Sequence, residues 1–180
     1  MTHTMQQKIT TEFIGTFFLS LTICTAAVYG SAGEYAPFGI AATLMVMIYA
    51  GGHISGAHYN PAVTVSIYLR GACDKDEVLP YIASQVIAAV SAAIVVQNLL
   101  FPADGLFLNG AERTLPVPVE LGNEAIVAEL LFTFALAYVI LNVATTESTS
   151  GNGYFGAAIA LVVLAGAITA GSISCLLYTS

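Results

Sequence analysis

The chain has 180 residues, 57% of them hydrophobic and 8% charged, with 4 basic against 11 acidic residues and a net charge of -7. A soluble domain carries roughly 25% charged residues, so most of this surface faces something other than water, and without a Lys/Arg cluster a nucleic-acid binder is excluded. Cys24, Cys73 and Cys175 are too scattered, and odd in number, for a disulfide framework or a zinc-ligand spacing; the solvent implied is a lipid bilayer.

Uncharged runs set the organisation. Residues 13–33 are 21 positions without Asp, Glu, Lys or Arg; residues 35–69 are 35, 78–103 are 26, 130–146 are 17 and 148–180 are 33. A membrane helix needs about 20 apolar residues, and continuous apolar runs exclude the alternating strands of a barrel. The first run predicts a span over residues 9–30. A signal peptide is the plain alternative there, set aside because the segment recurs later in the chain. The second run is too long for one helix and too short for two with a polar loop. Residues Pro37 to Ala50 predict a span, and Gly51-Gly52-His53-Ile54-Ser55-Gly56-Ala57-His58-Tyr59 predicts irregular backbone from Gly51 onward. Asn60-Pro61 then predicts the start of a half-helix ending near Leu69, since Asn is a good N-cap and Pro suits the first helical position. Irregular backbone at membrane depth is tolerated only where it lines a cavity or is buried, which makes this re-entrant segment the candidate site. Asp74, Lys75, Asp76 and Glu77 predict a solvated turn, and further spans follow over residues 78–99, 123–144 and 154–170. Lys8, Arg70 and Lys75 fall on one face of this topology and Arg113 on the other, which predicts a cytoplasmic N-terminus.

The chain also matches itself at an offset of 117 residues: Glu12, Thr16, Phe17 and Leu19 correspond to Glu129, Thr133, Phe134 and Leu136, and Phe38, Gly39 and Ala41 to Phe155, Gly156 and Ala158. With two residues inserted, Gly52-His53-Ile54-Ser55 corresponds to Gly171-Ser172-Ile173-Ser174. Residues 1–100 therefore read as a first repeat of three spans plus the half-helix. Residues 101–122 read as an extracellular loop, 123–174 as an incomplete second repeat of two spans, and 175–180 as a tail that matches nothing. Three spans is an odd number, so the second repeat is inverted in the membrane, and two re-entrant half-helices would meet near the midplane.

A half-helix N-terminus carries about half a positive charge, and two converging in a pore repel cations. Asn60 would cap the half-helix and offer its amide to a solute oxygen, while Gly56 to Tyr59 would present unpaired carbonyls. One donor and a ladder of acceptors suit a small neutral hydrogen-bonding solute, and no ring of charges is present to suit an ion.

The stretch from Gly52 to Thr64 resembles the first signature loop of the major intrinsic proteins, the aquaporins and aquaglyceroporins. Glu12-Phe13-Ile14-Gly15-Thr16-Phe17 and Glu129-Leu130-Leu131-Phe132-Thr133-Phe134 resemble that family's first and fourth helices, and the likeness runs from about residue 9 to 174. It implies an all-α membrane fold built as an inverted repeat, and a passive channel for water or small neutral solutes such as glycerol. It also implies a homotetramer with one pore per subunit, at home in the plasma membrane, with lipid and the permeating solute as partners and no cofactor. It implies that Gly56, Ala57, His58, Tyr59, Asn60, Pro61 and Ala62 line the pore. It places the narrow selectivity filter at Ile40 on the second span and near Ala167 on the fifth, neither aromatic nor histidine, which resembles the wider members of the family. It makes Glu12 and Glu129 buried structural acids that hold the irregular re-entrant backbone; a proton relay along Glu12, Thr16 and Ser20 is the competing reading.

The pattern departs after Ser174. A second Asn-Pro-Ala is expected to begin at position 179, where Thr179 and Ser180 stand instead. The sequence thus reads as five spans and one half-helix, with the second half-helix, the sixth span and the filter arginine missing. His53 and His58 have no adjacent Cys or carboxylate to complete a metal site, and Gly15, Gly39 and Gly156 read as close-packing positions between helices. No nucleophile–base pair or phosphate loop points to an enzyme. A passive channel is the primary reading. A non-conducting fragment of such a channel and an ion-coupled transporter built on inverted repeats are the alternatives.

Overall fold

The computed structural model describes residues 3–100 and 122–171. The expected features at residues 101–121 and 172–180, including most of the extracellular loop, the tail and the place of the second Asn-Pro-Ala, lie outside the described residues. Within them the fold is all-helical, with no strand. The elements are α1 (Met5–Ile23), α2 (Ala36–Ser55), α3 (Pro61–Leu69), α4 (Lys75–Val95), α5 (Asn123–Ala144) and α6 (Phe155–Ala170). Wider π-type turns extend α1 over Cys24–Val28 and α4 over Val96–Leu100.

Four stretches, Met5–Val28, Gly33–Ser55, Lys75–Leu100 and Asn123–Ala144, are long and apolar enough to cross a membrane, and α6 is a shorter apolar helix of 16 residues. The expected spans start and stop within a few residues of these. The main correction concerns α2. It does not end at Ala50 but runs on through Gly51, Gly52, His53 and Ile54 to Ser55. The glycines there serve side-chain packing. The Tyr59 hydroxyl lies where a Cβ on Gly51 would stand, and the Phe155 ring packs 3.5 Å from the equivalent point on Gly52. Irregular backbone is thereby confined to residues 56–60. Gly56 ends α2 in the left-handed conformation with φ 87°, its N–H donating to the Gly52 carbonyl, a common helix ending.

Helix α3 starts where Asn60-Pro61 predicts. Asn60 is extended, and its side-chain oxygen accepts from the N–H groups of Ala62 at 2.7 Å and Val63 at 3.3 Å. Nine residues rise about 14 Å, near half of a hydrocarbon core of about 30 Å, a length that suits a half-span. Helix α1 packs chiefly against α4 and α2, α2 against α6, α5 against α6, and α3 between α4 and α5.

A polar tie marks the face shared by the start of α1 and the α3–α4 turn. Lys8 pairs with Glu77, and Ser84 donates to the Ile9 carbonyl at 2.9 Å. Residues Lys75–Glu77 are therefore the first turn of α4, with Glu77 partly buried, and not a fully solvated turn. In the turn itself, burial and then the neighbouring Glu77 carboxylate push the Cys73 thiol up to about 11, which keeps it protonated at neutral pH.

Candidate functional site

The re-entrant segment is held by one acid. Glu12, fully buried on α1, accepts four hydrogen bonds. Ser55 Oγ at 2.6 Å and His58 N at 3.0 Å reach Oε1, and Tyr59 N at 2.7 Å and Gln85 Nε2 at 2.8 Å reach Oε2. A carboxylate has about four acceptor sites, and all are used. Two donors are backbone N–H groups of the irregular stretch, which have no helical partner. Ser55 Oγ accepts from Ala57 N at 3.0 Å, and Thr16 donates to the Tyr59 carbonyl at 3.3 Å. Ala57 and Tyr59 both sit at positive φ, 52° and 51°, which costs non-glycine residues about 1–3 kcal/mol each. The bonds from Glu12 and Ser55 hold the backbone there.

With those N–H groups turned toward Glu12, the carbonyls of Gly56, Ala57 and His58 find no donor among the described residues. The Tyr59 carbonyl differs from its neighbours, because Thr16 has taken it. Capping fixes the Asn60 amide: Oδ1 faces the helix, so Nδ2 points elsewhere and has no acceptor among the described residues.

These residues border a cavity of about 740 Å³. One wall is Gly56, Ala57, His58, Tyr59 and Asn60; the other is aliphatic, with Ile40, Leu44 and Ile48 from α2, Leu136 and Ile140 from α5, and Ile159 and Val163 from α6. The lining runs from Ile23 and Ile40 at one end to the α5–α6 connector, Thr145 to Asn152, at the other. Pro61 and Ala62, expected to line the pore, are not among the residues that border this cavity. From α3 the side chains turned into it are Val63 and Ile67, one turn apart, while Pro61 is half-buried and Ala62 exposed. Of the two expected filter positions, Ile40 is buried and lines the cavity, whereas Ala167 is buried but does not. At 3.6 residues per turn, Ala167 shares a face with Gly156 and Ala160, the side of α6 turned toward α2. Glu129 is half-buried on α5, in contrast to the enclosure of Glu12. His53 is exposed, edge-on to the His3 ring at 6.2 Å. His58 is buried, with Nδ1 3.2 Å from Thr64 Oγ1 and its ring against Tyr81. No cluster of three or more metal-type ligands occurs among the described residues.

Sequence reasoning missed the α4 side of the site. Tyr81 donates to the Ser55 carbonyl at 2.8 Å, and Gln85 bridges Glu12 to Thr64 Oγ1 at 3.0 Å. The signal was available: Tyr81, Ser84 and Gln85 lie at i, i+3 and i+4 within an apolar span, one polar stripe on one face.

A family model described as Major intrinsic protein matches residues 1–176. The chain belongs to the major intrinsic protein family. It is 35% identical over 176 residues to Aquaporin Z of Photorhabdus laumondii, covering 89% of this chain and 75% of that relative. It is 37% identical over 176 residues to Aquaporin NIP1-2 of Arabidopsis thaliana, covering 93% and 59%, and 36% identical over 174 residues to Aquaporin NIP1-3 of Oryza sativa subsp. japonica, covering 93% and 58%. The chain thus spans less than two thirds of the length of these plant relatives. As a member of this family with four long apolar helices among the described residues, it is a multi-pass membrane protein.

Proposed function

We propose that this major intrinsic protein forms a passive transmembrane channel for water and small neutral solutes such as glycerol. The cavity carries the reading: residues 56–60 border it, with three carbonyls and the Asn60 amide unpaired among the described residues, and the remaining lining from α2, α5 and α6 is largely apolar. A solute that gives up its water shell regains hydrogen bonds along one edge and keeps its carbon edge against the other wall. Among the described residues, the one charged side chain in the lining is Glu147, at the connector end, and a desolvated ion would need a charged partner deeper in the cavity. Ile40, neither aromatic nor polar, sets a wide constriction that admits polyols as well as water. Residues 1–100 act as one repeat and 123–174 as part of the inverted second, with Glu12 and Glu129 in corresponding places. Lys8, Arg70 and Lys75 support a cytoplasmic N-terminus, and the family supports a homotetramer in the plasma membrane.

The test is reconstitution of the 180-residue chain into liposomes. Osmotic water flux with a low activation energy, and glycerol flux that rises linearly with concentration, are expected. Saturable uptake that follows an ion gradient would replace the channel with a transporter, and flux no greater than that of empty liposomes would refute conduction by this chain.

A further inference from the structure

Helix α6 begins without a cap of its own, since Tyr154 makes no side-chain bond to the first turn. The first N–H groups of any helix need partners from outside it. Here the partner comes from another helix. Tyr49 Oη, on α2, accepts from Ala157 N at 3.2 Å and donates to the Gly153 carbonyl at 3.0 Å. Both capacities of one hydroxyl are spent on the backbone either side of the α6 start. The ring is seated by glycine: a Cβ on Gly156 would come within 2.9 Å of it, and it meets Phe155 edge-on at 5.3 Å. Phe155 in turn lies over Gly52, so each helix offers an aromatic ring to a glycine of the other.

The rest of the connector is tied to α5. Asn152 Nδ2 donates to the Val143 and Thr149 carbonyls, at 2.8 and 2.6 Å, and its Oδ1 accepts from Tyr154 N at 3.1 Å. Asn152 therefore shapes the loop, and Tyr49 fixes it to α2. The connector lines one end of the cavity, whereas Tyr49 does not touch the cavity at all.

We propose that Tyr49 is a positioning residue for that mouth: its hydroxyl caps α6 from α2 and holds the 145–154 connector off the opening. The inference rests on the cavity being the solute path. Tyr49→Phe keeps the ring and removes the hydroxyl. In the full chain in liposomes, exchange of the Ala157 amide is expected to become roughly tenfold faster, with α1 and α4 amides and the melting temperature unchanged. The ratio of glycerol to water permeability is expected to fall several-fold, a change that a uniformly loosened fold would not produce. Gly156→Ala, which displaces the ring, should shift the ratio in the same direction, and the double variant should do no worse than the stronger single one. Unchanged Ala157 exchange in Tyr49→Phe would overturn the cap. Faster exchange with an unchanged ratio would overturn the role at the mouth. A wild-type chain that passes neither solute would overturn the conduit and the mouth role with it, while the exchange comparison still decides whether Tyr49 caps α6.

Discussion

Four donors converge on Glu12, and two of them are backbone groups that no helix can satisfy. Glutamine at this position offers one acceptor oxygen and turns an NH2 group toward the remaining donors. Each buried donor left unpaired costs about 1–3 kcal/mol, and the left-handed backbone at Ala57 and Tyr59 loses its restraint. Glu12→Gln is expected to lower the stability of the detergent-solubilised protein by about 3 kcal/mol and to abolish solute flux. Unfolding curves of the two proteins check this, and superimposable curves would show that the acid does not organise the loop. The same count explains why the Asn60 amide stays available. Capping takes only its oxygen, so the residue that starts α3 keeps a side-chain donor unpaired among the described residues.

Among elements, glycine decides how closely the helices and the re-entrant loop approach. A Cβ on Gly15 would overlap the Tyr59 ring and one on Gly51 the Tyr59 hydroxyl, which donates to the Met47 carbonyl at 2.9 Å. The loop tip is thereby wedged between α1 and α2. Gly39 is different: the nearest atom to its added Cβ would be Thr22 Cγ2 at 4.0 Å, ordinary contact. Gly51→Ala is expected to destabilise by at least about 1–3 kcal/mol through overpacking. Gly39→Ala is expected to be neutral or stabilising by up to about 1 kcal/mol, because alanine is the better helix former. Thermal unfolding of both variants side by side tests the distinction, and equal shifts would refute it. Of the three glycines read as close-packing positions, Gly15 and Gly156 meet an aromatic ring and Gly39 does not.

For the whole molecule, the α1–α2–α4 group is a polar-stitched scaffold, and α5 and α6 close an apolar wall across the cavity from the loop. On the proposed channel reading, Ile40 sets the width at one end. Phenylalanine there would narrow the passage while keeping it apolar. An extra methylene-scale contact in an apolar pocket changes discrimination by about 10-fold or more, so Ile40→Phe is expected to reduce glycerol permeability roughly tenfold and water permeability far less. Paired flux measurements on the same liposomes check this, and a proportionate fall in both would place the constriction elsewhere.

What the sequence determined by itself follows from one-dimensional rules. Uncharged runs of membrane length specify the spans, Asn60-Pro61 specifies the start of α3, and the stretch around them carries the family resemblance. These are local signals, since capping and hydrophobic length depend on neighbours in the chain. The tertiary structure decided the rest because it depends on contacts between distant residues. Gly51 and Gly52 looked like helix breakers and are helical, since the side chains of Tyr59 and Phe155 fill the space they leave. Glu12 finds Gln85 only when α1 and α4 pack, Thr16 withdraws the Tyr59 carbonyl from the acceptor ladder, and helix phase turns Ile40 into the cavity and Ala167 out of it. Spacing alone cannot encode which side chain reaches which backbone atom 40 or more positions away; packing settles that.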